Sequence, residues 1–364
     1  MIYLFLVLIF FTGVFLFLNT PRFGKTPKGK RLKRIQKLPN YQQGKFQNIN
    51  LTPDLTQGAT YGSVMREILF HKDKRNVPSL PIPAQKIDLF SIPAEEDCIV
   101  WFGHSSYYLQ IGEKKFLVDP VLNGTASPIA ATTRSFKGSD QYTVNDIPNP
   151  DYLIITHDHW DHLDYRTVKA LQSRTNKVVC PIGVGEHLEH WGYKNAQLIE
   201  HNWYESEELE PGFSIHFTPA RHFSGRGFKR QSSLWTSYVL KTPNKRLFLG
   251  GDSGYDSHFK EIGKQFGPFD LAILECGQYN KNWEYIHMMP EQVVQAALDL
   301  KTEYLFPVHW GKFSLSMHAW DEPIKRVTQA AKDHSLKLML PQIGEKNPLE
   351  GKDYQEFWWE SLAD

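Results

Sequence analysis

Hydrophobic and polar positions divide the chain into three regimes. The first is a nearly continuous apolar run, MIYLFLVLIFFTGVFLFLN, interrupted only by Thr12 and Gly13, and residues 1–20 carry no charge. At 1.5 Å per residue, about eighteen such positions approach the ~30 Å hydrocarbon core of a bilayer. The run has no polar face, so it predicts a transmembrane helix over 1–20 rather than a buried core helix. A cleaved signal peptide would need a basic start and a small-residue cleavage site, and neither is present. The second regime, 21–95, is polar and rich in Gln, Asn and Pro, with one helical pattern near Tyr61–His71. It predicts an extended arm that wraps the core or covers a site.

The third regime begins near Asp97 and consists of short apolar runs of strand length. They are CIVWF (98–102), YYLQI (107–111), KFLVD (115–119), YLIIT (152–156), KVVC (177–180), FSIHFTP (213–219), LWTSYVL (234–240), RLFLG (246–250), LAILEC (271–276) and EYLFPV (303–308). Helical patterns fall between them at Tyr165–Ser173, Gly183–Trp191, Pro290–Leu300 and Asp321–His334. Strand pairs with interspersed helices predict a layered α/β or α+β domain over 96–345, followed by a tail, 346–364. No internal repeat stands out, and the pattern leaves the topology open.

Composition adds two points. Apolar residues at 41% and charged residues at 22% describe a folded globular chain of 364 residues, not a disordered one. Cys98, Cys180 and Cys276 are distant from one another and odd in number, so neither a disulfide framework nor a thiolate zinc site is indicated.

The formal charge of +1 conceals a division. Residues 21–53 hold nine Lys/Arg and no acid; removing those nine from 41 leaves 32 basic against 40 acidic residues elsewhere. A basic strip directly after an apolar span resists translocation and predicts the body on the cytoplasmic side. The strip can also lie against anionic headgroups at about 1 kcal/mol per residue. The acidic body disfavours a nucleic-acid substrate.

Candidate chemistry concentrates in THDHWDH, residues 156–162, immediately after an apolar strand. In an extended segment His157, His159 and Asp161 point the same way, and His162 swings round as the chain turns into a helix. His157 and His159 then serve one metal and Asp161 with His162 a second beside it, while Asp158 on the opposite face supports the ligands from behind or is structural. Imidazole and carboxylate donors suit zinc, with iron or manganese as less decisive alternatives. The remaining ligands come from later strand ends: His222 in PARHF, Asp252 in GGDSGY and His309 in PVHWG. The two oxygens of Asp252 can bridge two cations. Ser105 and Ser106 lack a G-x-S-x-G elbow, so a serine nucleophile is not indicated.

The HxHxDH cluster with downstream His, Asp and His resembles the metallo-β-lactamase superfamily across roughly residues 96–345. The resemblance implies an αββα sandwich with a dinuclear site at one edge. A histidine at 162 and an aspartate at 252 point away from true zinc β-lactamases and toward phosphodiester, thioester or lactone hydrolases. WFGHSS (101–106), DPVLNGTASP (119–128), THDHWDHLD (156–164), GDSGY (251–255) and VHWGKF (308–313) most resemble N-acylphosphatidylethanolamine-hydrolysing phospholipase D and its bacterial relatives. That resemblance implies His157, His159 and His222 on one Zn2+, Asp161, His162 and His309 on the other, and Asp252 as the bridge.

The function implied is hydrolysis of a membrane phospholipid phosphodiester. Two metals about 3.5–4 Å apart would generate a hydroxide nucleophile, with Asp252 and Asp161 at the reacting centre. His104, His287, Lys312 and Glu275 are the candidates for orienting the site or touching substrate. A membrane-anchored lactonase or other esterase of the same fold is the alternative, and a non-catalytic metal-binding protein is a third reading that the full ligand set disfavours. Oligomeric state is not legible.

Overall fold

The structure, a computed structural model, describes residues 2–352, 354 and 357–362. Its body is built on two seven-stranded sheets. The first contains β3 (Cys98–Trp101), β4 (Tyr107–Ile111), β5 (Lys114–Val118), β6 (Tyr152–Ile154), β7 (Lys177–Pro181), β8 (Leu198–His201) and β16 (Lys346–Pro348), in the order 16-3-4-5-6-7-8. The second contains β9 (Ser206–Glu210), β10 (Phe213–Thr218), β11 (Ser237–Lys241), β12 (Arg246–Leu249), β13 (Phe269–Glu275), β14 (Thr302–Val308) and β15 (Lys337–Leu338), in the order 15-14-13-12-11-10-9. In the first sheet β16, β3, β4 and β5 pair antiparallel and β5 to β8 parallel; in the second, β9 to β12 pair antiparallel and β12 to β15 parallel.

Period-two alternation explains the layering. Ile99, Trp101, Leu109, Phe116, Val118 and Ile154 join Ile215, Phe217 and Leu249 in one core between the sheets. Their neighbours Val100, Phe102, Tyr108, Leu117, Leu153 and Ile155 point the other way, into a second cluster covered by α4 (Tyr165–Leu171) and α5 (Gly185–His190). On the second sheet α6 (His258–Phe266), α7 (Pro290–Leu300) and α8 (Glu322–Asp333) bury Phe259, Ile262, Val293, Val294, Ile324 and Val327. Strands buried on both faces read as unbroken apolar runs, which is why their sequences stand out. The strands LIEH and SEELE, β8 and β9, carry no such signal, because both lie at sheet edges and stay half-buried. The helix α6 escapes the pattern for another reason: it buries Phe259, Ile262 and Phe266 along one face, and polar residues fill the positions between them.

Strand direction, more than strand order, positions the site. The antiparallel pairings make β3 and β5 run the same way as β6, and β10 the same way as β12, β13 and β14. The carboxyl ends of all seven therefore open onto one edge of the sandwich.

The N-terminal segment corrects two expectations. Its apolar run forms α1 (Ile2–Leu18), a helix of 17 residues, and among the described residues no helix is long and apolar enough to cross a membrane. At 1.5 Å per residue it reaches about 25 Å. The helix ends where Asn19 donates back to the Phe15 carbonyl and Pro21 opens a new turn. Phe17 packs edge-on to Phe23, and Phe23 to Trp160, so its last turn sits against the body. The transmembrane span over 1–20 falls, and with it the placement of the body on a cytoplasmic face.

The following arm lies against the acidic body. Arg31, in α2 (Gly29–Ile35), meets Glu186, Glu189 and Glu200 at 2.8–2.9 Å. Burial works against its charge, but the three carboxylates outweigh it and hold the guanidinium's pKa above its ordinary value. Ile35 and Phe46, the latter in the small hairpin β1 (Tyr41–Gln42) and β2 (Lys45–Phe46), are buried with Ile182, Trp203, Leu234 and Trp235. At the other end of the chain β16 pairs with β3, and Trp358 stacks on Trp310. Replacing Arg31 by Ala strands three part-buried carboxylates and should lower stability by about 3 kcal/mol. The midpoint of urea unfolding measures this; a midpoint equal to that of the unaltered protein refutes the clamp.

Candidate metal centre

The chain leaves β6 at Ile154 and re-enters helix at Tyr165, where Asp164 caps α4 by accepting from the Thr167 amide at 2.8 Å. Between these points the amides of His162 and Leu163 both donate to the His159 carbonyl, closing the turn that swings His162 back. Arg226 ties the loop by donating to the carbonyls of Asp158 and Leu163 while stacking over Trp160. Asp158 points away from the other ligand-type residues and accepts from the Gly225 amide, Ser233 Oγ and His187 Nε2.

Two groups of donor atoms result. His159 Nδ1 lies 3.0 Å from His157 Nε2 and 3.2 Å from His222 Nε2. Beside them, Asp161 Oδ2 lies 3.3 Å from His309 Nε2 and 3.6 Å from His162 Nε2. Asp252 stands between the groups. Its Oδ2 is 3.2 Å from His309 and 3.8 Å from both His157 and His222, and its Oδ1 is 3.1 Å from His162 Nε2. The fold thus brings together all seven residues of the expected ligand set. All but His159 are buried, and that one is half-buried.

Two buried polar atoms of the cluster are orphaned. His162 Nε2 and Asp252 Oδ1 are fully buried yet neither has a hydrogen-bond partner among the described residues. They are close but not aligned on each other. Such groups are costly to bury unless something satisfies them, and a cation satisfies both. Hard–borderline N/O donors of this kind suit zinc and its first-row neighbours.

Neighbours fix the orientation of each donor. His162 Nδ1 donates to Asp119 Oδ2 at 2.8 Å, and Asp119 is itself held by the amide and hydroxyl of Thr156. His222 Nδ1 donates to the Ile286 carbonyl. His104 Nε2 sits 2.9 Å from Asp161 Oδ2. Glu275 accepts from His287 Nδ1 at 2.9 Å and lies 3.3 Å from His309 Nδ1. Lys312 is elsewhere: it is buried and donates to the carbonyls of Phe102 and Val121. Asp119 is the contributor that sequence reasoning missed, although its position directly after the run KFLV is the same signal that marks Asp252 and His309.

Electrostatics divides the cluster. Burial, with repulsion from neighbouring imidazoles, holds His157 and His222 well below the usual range, and burial draws His159 down to about 4. These three are neutral and ready to ligate. Burial also opposes charge on His309, but Asp252, Asp161 and Glu275 outweigh it and push the ring up to about 10. Burial would raise Asp252, yet His162 and His309 hold it well below the carboxylate range. The second group is a place where positive charge is wanted.

The centre opens into a cavity of about 440 Å³. His287 and the metal-site edge form its floor, while Asp54, Leu55, Tyr61 and Val64 of the N-terminal arm form one wall. The last two belong to α3 (Tyr61–Phe70). Arg230 is the only Lys or Arg among the lining residues; it stacks 3.8 Å above Phe223 and pairs with Asp54 at 2.6 Å. Nothing in the sequence pairs residue 54 with residue 230.

Comparison with known proteins agrees with this geometry. The family model described as a beta-lactamase superfamily domain matches residues 114–310. An uncharacterized protein of Mycobacterium tuberculosis is 35% identical over 325 residues, 88% of this chain and 87% of its own. The N-acyl-phosphatidylethanolamine-hydrolyzing phospholipase D 1 of Caenorhabditis elegans is 27% identical over 294 residues, 74% of this chain and 80% of its own. Among solved structures, a metallo hydrolase from the archaeon Ignicoccus hospitalis superposes with a TM-score of 0.54 at 21% identity, covering 69% of this chain and 97% of its own.

Removing the carboxylate behind His162 tests the orienting network. Asp119→Ala should weaken metal binding about 10–100-fold. Competition with a chromogenic chelator measures it, and wild-type affinity in the variant would exclude Asp119 from that role.

Proposed function

The chain belongs to the beta-lactamase superfamily, as a metal-dependent hydrolase of the metallo-β-lactamase fold, and from that premise we propose that it is a phospholipid phosphodiesterase of phospholipase D type. In this reading His157, His159 and His222 would hold one divalent cation, Asp161, His162 and His309 would hold another, and Asp252 would be shared between them. Zinc is the ion that the donor set favours. When bound, such a pair supplies Lewis-acid charge and lowers the pKa of water toward neutrality.

The observation that carries the substrate class is the cavity. Its floor is the bridged donor cluster, Arg230 is its one Lys/Arg side chain, and Leu55, Val64, Trp283, Ile286 and Leu315 give it an apolar lining. That combination suits an amphiphile with an anionic centre: phosphoryl oxygens toward the donor cluster and Arg230, acyl chains along the arm. A relative of similar extent is named for hydrolysing N-acyl-phosphatidylethanolamine.

This chain's residues then divide the work. Asp161 and Asp252 supply buried negative charge that would offset the charge of bound cations. Arg230 steadies the phosphodiester through charge-assisted hydrogen bonds. His287, with Nδ1 held by Glu275, presents Nε2 to the cavity beside His222 and Asp252. There it takes up the proton of the attacking water and returns it to the departing alkoxide as the bond from phosphorus to the head-group oxygen breaks. The products are a phosphatidic acid and the head-group alcohol.

Incubation with vesicles of phosphatidylethanolamine and its N-acylated form, beside a panel of lactones, should release phosphatidic acid. Chelation should abolish the release and Zn2+ restore it; turnover of lactones alone overturns the proposal. Asp252→Asn should abolish hydrolysis with the fold retained, and full activity there rejects the bridge. For Arg230→Gln, loss of a charged hydrogen bond predicts a KM raised about tenfold with kcat nearly unchanged. A fall in kcat at constant KM would argue against substrate binding at that residue.

A further inference from the structure

Glu275, the last residue of β13, is 0% exposed. A carboxylate so placed must have its lone pairs met. Oε1 accepts from the amides of Met288 at 3.1 Å and Ser253 at 3.3 Å. Oε2 faces Nδ1 of His287 at 2.9 Å and Nδ1 of His309 at 3.3 Å, the latter shared with the Gly277 carbonyl. These partners come from three separate segments: the loop after β12, the approach to α7 and the end of β14. Among the described residues its ion-pair partners are both histidines.

We propose that Glu275 is a positioning residue that sets one tautomer in two histidines at once, with the proton on Nδ1 of both His287 and His309. The reason is chemical. A carboxylate only accepts, so the nitrogen facing it must carry N–H, and a neutral imidazole then keeps its lone pair on Nε2. For His309, whose ring the surrounding carboxylates otherwise keep protonated, a bound cation would take the place of the Nε2 proton beside Asp161 and Asp252 while Nδ1–H stays on Glu275. For His287 it leaves the free nitrogen as an acceptor in the cavity. The two rings lie nearly parallel, 5.3 Å apart at 19°, as two arms fixed by one carboxylate should. Oε1 meanwhile pins the peptide after Asp252 and the peptide after His287, so the same side chain sets the bridge, the ligand and the proton carrier relative to one another. The role of His309 rests on the proposed metal centre; the tautomer of His287 does not depend on any substrate.

The test uses the full-length protein loaded with Zn2+ and labelled with 15N at histidine, read by long-range proton–nitrogen spectra. The His287 signal is identified by its loss in His287→Asn. It should report N–H at Nδ1 in the unaltered protein, and N–H at Nε2 there overturns the proposal with no further variant needed. In Glu275→Gln the carboxamide still accepts from Met288 and Ser253, but its nitrogen now donates where the carboxylate accepted. His287 should switch to the Nε2–H form, and Zn2+ affinity by chelator competition should fall about 10–100-fold. On the phospholipid vesicles, kcat should fall with KM within about twofold. Glu275→Gln that keeps both the Nδ1–H form and wild-type Zn2+ affinity refutes the role. A silent substrate panel would refute the proposed activity instead, and leaves the spectra and the metal titration to decide on Glu275.

Discussion

Among the described residues, five buried carboxylates are each met by at least one histidine: Asp119 by His162, Asp158 by His187, Asp161 by His104 and His309, Asp252 by His162 and His309, and Glu275 by His287 and His309. Unpaired, each would face a desolvation penalty of several kcal/mol. No lysine sits in the donor cluster; Lys312 is nearby in sequence but bonds carbonyls. Charge is balanced by imidazoles, which can be neutral, cationic or metal-bound, and the site is therefore adjustable where Lys or Arg would have locked it.

The sandwich supplies the geometry that this balance requires. Seven strands from two sheets run toward the same edge, and each delivers a donor or its support just at or beyond its last residue: His104, Asp119, the 157–162 turn, His222, Asp252, Glu275 and His309. His104, Asp119 and His309 all adopt positive φ, an unfavourable backbone state for residues with a Cβ. Strain at three positions around one centre is held by the surrounding hydrogen bonds, as at other sites where geometry is imposed by function. The peptide of His309 donates to the His104 carbonyl, so two of the strained residues brace each other across the two sheets.

The arm that joins α1 to the body is part of the site. Its basic residues are partly spent on the acidic body through Arg31 and Arg34, and it then runs past His222, where Asn48 bonds both the amide and the carbonyl of that residue. Beyond Asn48 it supplies Asp54, Leu55, Tyr61 and Val64 to the cavity wall. Charge complementarity between a basic strip and a body with excess acid thus has a structural use that does not require any partner.

Much of this was legible in order along the chain. Strands buried on both faces announce themselves as apolar runs, and a ligand-type residue immediately after such a run marks a strand end; His157, His159, Asp161, His162, His222, Asp252 and His309 all follow that rule. The helices Pro290–Leu300 and Tyr61–Phe70 follow from their periodicity within a residue. Edge strands β8 and β9 were not legible, because half-exposed strands need few apolar residues. The membrane span was misread because the apolar run was counted as helix to residue 20, whereas Asn19 and Pro21 end the helix at Leu18 and leave 17 residues. What only the tertiary structure decided is pairing: Asp119 with His162, Glu275 with two rings at once, Asp54 with Arg230, Arg31 with three glutamates. Local sequence encodes the type of a side chain and its place on a strand. Which other side chain it faces depends on the register and direction of strands separated by tens or hundreds of residues, and that is settled only when both sheets close on a common core.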